Sequence, residues 1–123
     1  MLLDSNIIIY AFDPQYPQVW DFMERGLFHA SEISKLEVMG YHKLIDQDYQ
    51  DFVEFFEGLP VFGITKTLID DAVQLRRKRS MGLADAIIAA TALEFEMPLV
   101  THNVVDFKWI PGLEIIDPLK NKA

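Results

Sequence analysis

Short apolar runs alternate with helix-forming segments along the chain, and this alternation most limits the folds open to it. The runs MLL, LFHAS, PVFGIT, PLVT and LEII each indicate a short buried strand. Segments with a helical spacing of apolar residues separate them. Strands spaced by helices are typical of a parallel sheet with helices on both faces. We therefore expect an α/β fold, and a length of 123 residues suits a single domain over residues 1–123.

Several residues indicate where the helices begin and which face they bury. Ser5 is placed to cap a first helix, SNIIIYAF, and Ser34 lies near the expected start of the helix in ISKLEVMGY. Either hydroxyl could instead orient ligands. In the segment KTLIDDAVQLRRKRS the apolar residues recur at helical spacing, which predicts one buried face. That predicted face carries Leu68, Ile69, Ala72 and Val73.

The composition excludes some classes of protein. The chain has no Cys, so it forms neither disulfides nor thiolate metal sites, and a reducing cytoplasm fits it. The opening MLLDSNIIIY has an apolar run too short for a signal peptide or a membrane span, and it carries Asp4. Half of the residues are hydrophobic, and nine of them are Phe. This is enough for a sizeable core and indicates apolar surface left over for a partner.

The charge balance bears on binding to nucleic acids. The net charge of −8, from 19 acidic and 11 basic residues, argues against a protein that grips phosphates over a large surface. Four basic residues nevertheless stand together, namely Arg76, Arg77, Lys78 and Arg79. They could hold phosphates, or they could form a solvated helix end, where basic side chains are favoured by the helix dipole. Both interpretations stay open from the sequence.

One carboxylate stands out in an apolar helix. The segment GLADAIIAATAL contains a single charge, that of Asp85. A carboxylate on a buried face must be hydrogen-bonded, paired or metal-bound, because burial of a bare charge costs several kcal/mol or forces protonation. The simpler interpretation is that Asp85 lies near the helix start, where the dipole favours a negative charge by roughly 0.3–1 kcal/mol. Whether other carboxylates of the chain lie close to Asp85 decides between these two interpretations.

Four carboxylates are expected at the same edge of the sheet. In open parallel sheets, ligands bind outside the carboxyl ends of the strands. Asp4 follows the first strand, Glu37 lies in the helix after the second, Asp85 begins the helix before the fourth, and Asp106 follows the fourth. Each alone could be a cap, a turn residue or a solvated side chain. Together they repel one another unless a cation is present. With oxygen ligands alone that cation is Mg²⁺ or Mn²⁺, and Ca²⁺ is a further alternative. Such an ion can activate a water for attack on phosphorus.

Four motifs together resemble the PIN-domain family, and within it the VapC-type toxin ribonucleases of toxin–antitoxin pairs. The resemblance spans nearly the whole chain, and its motifs are specific in combination and weak singly. The first three motifs are LLDSNIIIYAF with Asp4 and Asn6, SEISKLEVMGY with Glu37, and GLADAIIAATAL with Asp85.

The fourth motif departs from the family's pattern. LVTHNVVDFKWIPGLEIIDP resembles T-x-[DN]-x-x-[DH]-F followed by P-G, which gives Thr101, Asn103 and Asp106. Many members have an acidic residue where this chain has Asn103. Asp106 is then the expected fourth carboxylate. Thr101, Asn103 and Asn6 become the residues that orient ligands or water.

The resemblance implies both architecture and activity. It implies a three-layer αβα domain with a central parallel sheet of five strands and an acidic pocket. It implies metal-dependent cleavage of RNA phosphodiester bonds by Asp4, Glu37, Asp85 and Asp106, with Mg²⁺ or Mn²⁺ as cofactor. It also implies a cytoplasmic homodimer, the toxin of a type II pair, inhibited by an antitoxin that lies over a groove. The basic run Arg76–Arg79 is then a candidate RNA contact.

Two alternatives remain at this point. A non-catalytic PIN-like domain would bind RNA or a partner without cutting, although Glu37 and Asp85 are retained. A haloacid-dehalogenase-like phosphatase would need a D-x-D pair after the first strand, and here the third position of that pair is Asn6. The phosphatase is therefore the less favoured of the two.

Overall fold

The computed structural model describes residues 1–120, in which short strands alternate with helices. Each strand has only two residues that satisfy the ladder, so the helices make up most of the regular structure. The elements are, in order, β1 (Leu2–Leu3), α1 (Ser5–Ala11), α2 (Pro17–Met23), β2 (Ala30–Ser31), α3 (Glu32–Met39), α4 (Asp46–Glu57), β3 (Val61–Phe62), α5 (Lys66–Lys78), α6 (Leu83–Glu94), β4 (Leu99–Val100), α7 (Val104–Phe107) and β5 (Ile115–Ile116).

The five strands of the described residues line up in the order β3-β2-β1-β4-β5. β1, β4 and β5 form one hydrogen-bonded group and β2 with β3 forms another, and every registered pair is parallel. A parallel bridge between Leu2 and His29 joins the two groups. The N–H of Leu3 donates to the carbonyl of His29 at 2.9 Å, and the N–H of His29 donates to the carbonyl of Met1 at 2.8 Å. The predicted parallel arrangement is confirmed, with a junction at β1–β2 that is shorter than a regular ladder.

Helices cover both faces of this sheet, because adjacent residues of a strand point to opposite sides. In β1, Leu2 packs with α5 and α6, whereas Leu3 packs with α1 to α4. In β4, Leu99 and Val100 divide between the same two clusters. The predicted three-layer αβα architecture is confirmed. Among residues 1–120, no helix is long and apolar enough to cross a membrane.

The apolar helix α6 is enclosed on every side. All residues from 86 to 92 are buried, and α6 contacts both α5 and α3 as well as the sheet. A helix that is hydrophobic around its whole circumference belongs in a core. Asp85 lies in its first turn, at the end that faces the carboxyl edge of the strands.

Two helices begin earlier than the sequence predicts. Asp4, and not Ser5, holds the N-cap position of α1, so Ser5 is already helical. α3 begins one turn before Ser34, because the side chain of Ser31 accepts a hydrogen bond from the N–H of Ile33 at 3.1 Å. The predicted capping roles of Ser5 and Ser34 were wrong, and both hydroxyls are free for other contacts.

The buried face of α5 is also narrower than predicted. Leu68, Ala72 and Leu75 are buried, whereas Ile69 and Val73 are 42% and 48% exposed. The sheet and α6 cover a stripe at spacings of four and three residues. The positions beside that stripe therefore stay on the surface. The assignment of Ile69 and Val73 to the core was wrong.

Candidate active site

The four predicted carboxylates come from four separate elements and meet at the carboxyl edge of the sheet. Asp4 follows β1, Glu37 lies in α3, Asp85 lies in the first turn of α6 and Asp106 lies in α7. Asp4 is only 3% exposed, Asp85 is partly buried, and the other two are exposed. Their charges reach one another: the carboxylates of Asp4, Glu37 and Asp106 all raise the pKa of Asp85. The structure thus brings together all four residues.

Asp4 is held at the base of this cluster by Thr101. The Thr101 hydroxyl donates to Asp4 Oδ2 at 2.7 Å, across 97 positions of sequence. The same hydroxyl oxygen accepts the backbone N–H of Asn103 at 3.0 Å, which fixes its orientation. Burial raises the pKa of Asp4, the hydrogen bond from Thr101 opposes that rise, and the charges of Glu37 and Asp106 add to it. The hydrogen bond from Thr101 to Asp4 therefore supports the prediction that Thr101 orients a ligand residue.

Asp85 carries the clearest sign of an electrostatically strained site. Burial raises its pKa to about 6, and repulsion from Asp4, Glu37 and Asp106 contributes in the same direction. A carboxylate whose only role was to complement a helix dipole would have its charged form favoured, not disfavoured. The raised pKa of Asp85 thus fits a role in binding a cation better than a role as a charge that complements the helix dipole.

The side chain of Glu37 is oriented by a hydrogen-bonded pair of serines, Ser5 and Ser34. The Ser5 hydroxyl lies 2.6 Å from Glu37 Oε1 and 2.9 Å from the Ser34 hydroxyl. One hydroxyl has one proton, so Ser5 donates to the carboxylate and accepts from Ser34. Ser34 precedes Glu37 by one helical turn and Ser5 follows Asp4 directly, and this spacing was the available signal. For both residues the sequence left helix capping and ligand orientation open.

The two predicted supporting amides differ from Thr101. Asn6 lies in the first turn of α1, is exposed, and makes no side-chain hydrogen bond to residues 1–120. Asn103 precedes α7, and its backbone, not its side chain, contacts Thr101. Asp106 is the residue of the fourth motif whose charge acts on Asp4 and Asp85. The assignment of Asp106 as the fourth carboxylate stays a prediction, to which these charge effects on Asp4 and Asp85 lend support.

The basic run does not form one surface. Arg76 donates from Nε to the carbonyl of Met81 at 3.0 Å, and Arg77 lies 3.4 Å from the side-chain oxygen of Gln74. Lys78 is the last residue of α5 and is exposed. Arg79 lies beyond the helix, with its guanidinium 5.4 Å from the centre of the Trp109 ring. These four residues are not equivalent candidates for an RNA contact.

Comparison with known families identifies the fold. A model of the PIN domain matches residues 1–111. The chain belongs to the PIN domain family. The phosphatase alternative is therefore not carried further, and Asn6 had already argued against it.

Individual relatives of this PIN domain agree with the family match. A protein named Ribonuclease VapC from Rickettsia bellii is 27% identical, with 98% of both chains covered. A chain of a toxin–antitoxin complex from Klebsiella pneumoniae is 30% identical, with a TM-score of 0.80 over 95% of this chain and 96% of that one. A chain of the DNA-bound VapBC structure from Salmonella typhimurium has a TM-score of 0.83 over 95% and 96% at 22% identity, which supports the fold alone.

The chemistry of the acidic residues of this PIN domain fits a hydrated divalent cation. In residues 1–120 no group of three acidic or histidine side chains stands close enough to enclose one ion. Mg²⁺ needs no such cage, because it keeps several waters and binds through one or two carboxylates plus substrate phosphates. The ion pairs of the described part of the chain involve none of the four carboxylates. Hard oxygen ligands with uncompensated negative charge are what Mg²⁺ and Mn²⁺ prefer.

Without metal at pH 7.5, we expect the wild-type protein to have a lower free energy of unfolding than the Asp85→Asn variant. The difference between the two should depend on pH. An acid with a raised pKa binds more protons folded than unfolded, so its favourable contribution is lost as pH rises through about 6. Because Asp85 is partly exposed, solvent screening reduces the effect. The margin should be about 1 kcal/mol larger at pH 7.5 than at pH 5. Urea unfolding in EDTA measures it, and a margin that does not change with pH would contradict the raised pKa.

Proposed function

We propose that this chain is a metal-dependent endoribonuclease and the toxin of a type II toxin–antitoxin pair. The observation that carries the proposal is the convergence of Asp4, Glu37, Asp85 and Asp106 at one sheet edge, with the pKa of Asp85 raised to about 6. Family membership supports it, as do a relative named Ribonuclease VapC and a similar chain in a toxin–antitoxin complex. A non-catalytic domain would gain nothing from the repulsion among these carboxylates.

In the proposed mechanism the position and exposure of each carboxylate determine whether it binds the ion or accepts a proton. When bound, Mg²⁺ or Mn²⁺ acidifies a water and stabilises negative charge on the scissile phosphate. Asp4 and Asp85, the less exposed pair, would hold the ion, with Asp106 beside them. Glu37 is exposed and oriented by Ser5, and it would accept the proton of the attacking water. The water oxygen would bond to phosphorus, the bond from phosphorus to O3′ would break, and O3′ would take a proton from solvent water.

Wild-type protein should cleave single-stranded or looped RNA in Mg²⁺ or Mn²⁺ and stop when EDTA is added. Because water is the nucleophile and the bond from phosphorus to O3′ breaks, the products should carry 5′-phosphate and 3′-hydroxyl ends. End labelling and mass analysis of the fragments test this. Fragments with 2′,3′-cyclic phosphate would overturn the mechanism. RNA binding without cleavage in either metal would instead favour the non-catalytic alternative.

A groove next to Glu37 is suited to an antitoxin segment. It lies among α1, α3 and α4, has a volume of about 620 Å³, and its floor includes Phe12, Val38 and Phe52. Its rim is acidic and includes Asp13, Glu37, Asp48 and Asp51. An apolar floor with an acidic rim fits a segment that alternates apolar and basic side chains. Because Glu37 belongs to both groove and site, a chain in the groove would also cover the acidic residues.

Three further expectations remain predictions. A homodimer would cover exposed apolar residues along α5 and α6, such as Ile69, Val73 and Leu83, which are 42%, 48% and 66% exposed. The proposal of a cytoplasmic location rests on the family to which the chain belongs. A single domain over residues 1–123 rests on length.

A further inference from the structure

A second depression borders the acidic site on its α7 side. It has a volume of about 270 Å³ and lies between the α5–α6 connection and α7. Asp85 and Asp106 form one wall, Met81 and Arg79 form another, and Trp109 completes it. The depression therefore shares two carboxylates with the site and lies apart from the groove among α1, α3 and α4.

Trp109 is fixed in place within this depression. Its indole Nε1 donates to the carbonyl of Asp106 at 3.0 Å, so the ring is tied to the backbone of an acidic site residue. The ring also packs against the core cluster that contains α6, and the residue is partly exposed. An aromatic ring that is anchored on one side and open on the other is the kind of surface on which nucleobases stack.

Arg79 supplies the positive charge that the acidic site lacks. Its exposed guanidinium lies 5.4 Å from the centre of the Trp109 ring, in a cation–π arrangement. Arg76 and Arg77 line a different depression, between α5 and α6. Within the basic run, Arg79 is thus the residue that borders the depression containing Asp85 and Asp106. A phosphodiester approaching four carboxylates on a chain of net charge −8 needs such a partner.

We propose that this depression is a nucleotide subsite, in which Trp109 stacks the base next to the scissile phosphate and Arg79 binds the phosphate of that nucleotide. The proposal rests on the proposed ribonuclease function and adds the place where the substrate is held. Because any base can stack on the indole ring, the subsite would increase affinity for RNA without a strict sequence preference. A guanidinium that turns from the ring toward a phosphate leaves the indole face free for the base.

Tryptophan fluorescence tests the subsite without relying on cleavage. Trp20 is the other tryptophan, is 43% exposed, and contacts Phe12 edge-on, so Trp20→Phe preserves an aromatic contact there. In a Trp20→Phe, Asp85→Asn protein, in which cleavage should be about 100-fold slower or more, Trp109 is the remaining tryptophan and its emission reports on binding. A single-stranded oligoribonucleotide titrated in Mn²⁺ should quench its emission in a saturable way. An oligomer with the same backbone but no bases should bind more weakly, with little quenching.

Substitutions in this protein separate the subsite from general electrostatics. Arg79→Gln should raise Kd for the oligoribonucleotide about tenfold, a typical loss for one charge-assisted contact. Arg25→Gln removes the same charge at the opposite edge of the sheet, where it precedes β2, and should leave Kd within about twofold. If Arg79→Gln and Arg25→Gln have equal effects on Kd, or if the base-free oligomer quenches equally, the subsite is overturned.

Kinetics of the otherwise wild-type protein distinguish failure of the subsite from failure of the proposed function. Trp109→Leu should raise KM more than it lowers kcat, and Trp109→Phe should recover much of the loss because it can still stack. Thermal unfolding of both variants checks that the core around the ring is intact. Cleavage with unchanged KM in Trp109→Leu and Arg79→Gln would refute the subsite alone. Saturable quenching in a protein that never cleaves RNA would refute the ribonuclease alone.

Discussion

Asp85→Asn is expected to lower the rate of RNA cleavage by about 100-fold or more while the protein still folds. The substitution keeps the shape of the side chain and removes a charge that Asp4, Glu37 and Asp106 disfavour. Without metal at pH 7.5, the variant should therefore be slightly more stable than wild type. Stability and activity move in opposite directions because burial and repulsion disfavour the Asp85 charge, and the same negative charge would attract the cation.

Single-turnover cleavage and thermal unfolding of the same preparations measure both effects. Asp71→Asn is the matched control, since Asp71 is an exposed carboxylate on α5. It should leave the rate and the melting temperature unchanged. If Asp85 served only the helix dipole, Asp85→Asn would cost at most about 1 kcal/mol of stability and would not slow cleavage. Wild-type activity in purified Asp85→Asn would contradict the assignment of Asp85 to the active site.

Asp4→Asn is expected to remove most of the stabilisation that Mg²⁺ or Mn²⁺ gives the folded protein. An ion that binds only the folded state, at about 100 times its Kd, adds about 2.7 kcal/mol to the free energy of unfolding. For a domain of this length that raises the melting temperature by roughly 10 °C. Asp4 is the most buried of the four carboxylates, and its orientation is set by Thr101 at 2.7 Å. An amide there can still accept from Thr101, so the fold should persist.

Melting curves with and without the metal, for wild type, Asp4→Asn and Asp71→Asn, measure this shift in melting temperature. Asp71→Asn should keep the full shift, because it changes charge without touching the site. A wild-type melting temperature that neither ion raises would contradict the metal site. A shift of equal size in wild type and Asp4→Asn would place the ion elsewhere.

Much of the fold could be predicted from local patterns. The five apolar runs all contain or overlap the strands of the structure, because a buried strand needs consecutive apolar residues. The helix after Gly82 was evident from its composition, and its burial on every side explains why Asp85 is its one charged residue in residues 83–93. The site carboxylates were found by where they fall relative to strand ends.

The failures have a common cause in tertiary contacts. Ser5 and Ser34 have the residue type of helix caps, yet both serve the carboxylate of Glu37. Ile69 and Val73 have the spacing of a buried face, yet nothing in residues 1–120 covers them fully. Residue type and spacing restrict what a side chain can do, whereas the neighbouring elements decide which of those roles it takes.

Residue type and local period were enough to predict the alternation of strands and helices, the PIN-type motifs and four candidate acidic residues. How these segments meet depends on packing between distant parts of the chain. The strand order β3-β2-β1-β4-β5 places β4 beside β1, so Thr101 reaches Asp4 across 97 positions. The end of α5 likewise separates Arg79 from its basic neighbours and sets it over Trp109. Contacts between distant segments arise from packing, and no local pattern encodes their distances.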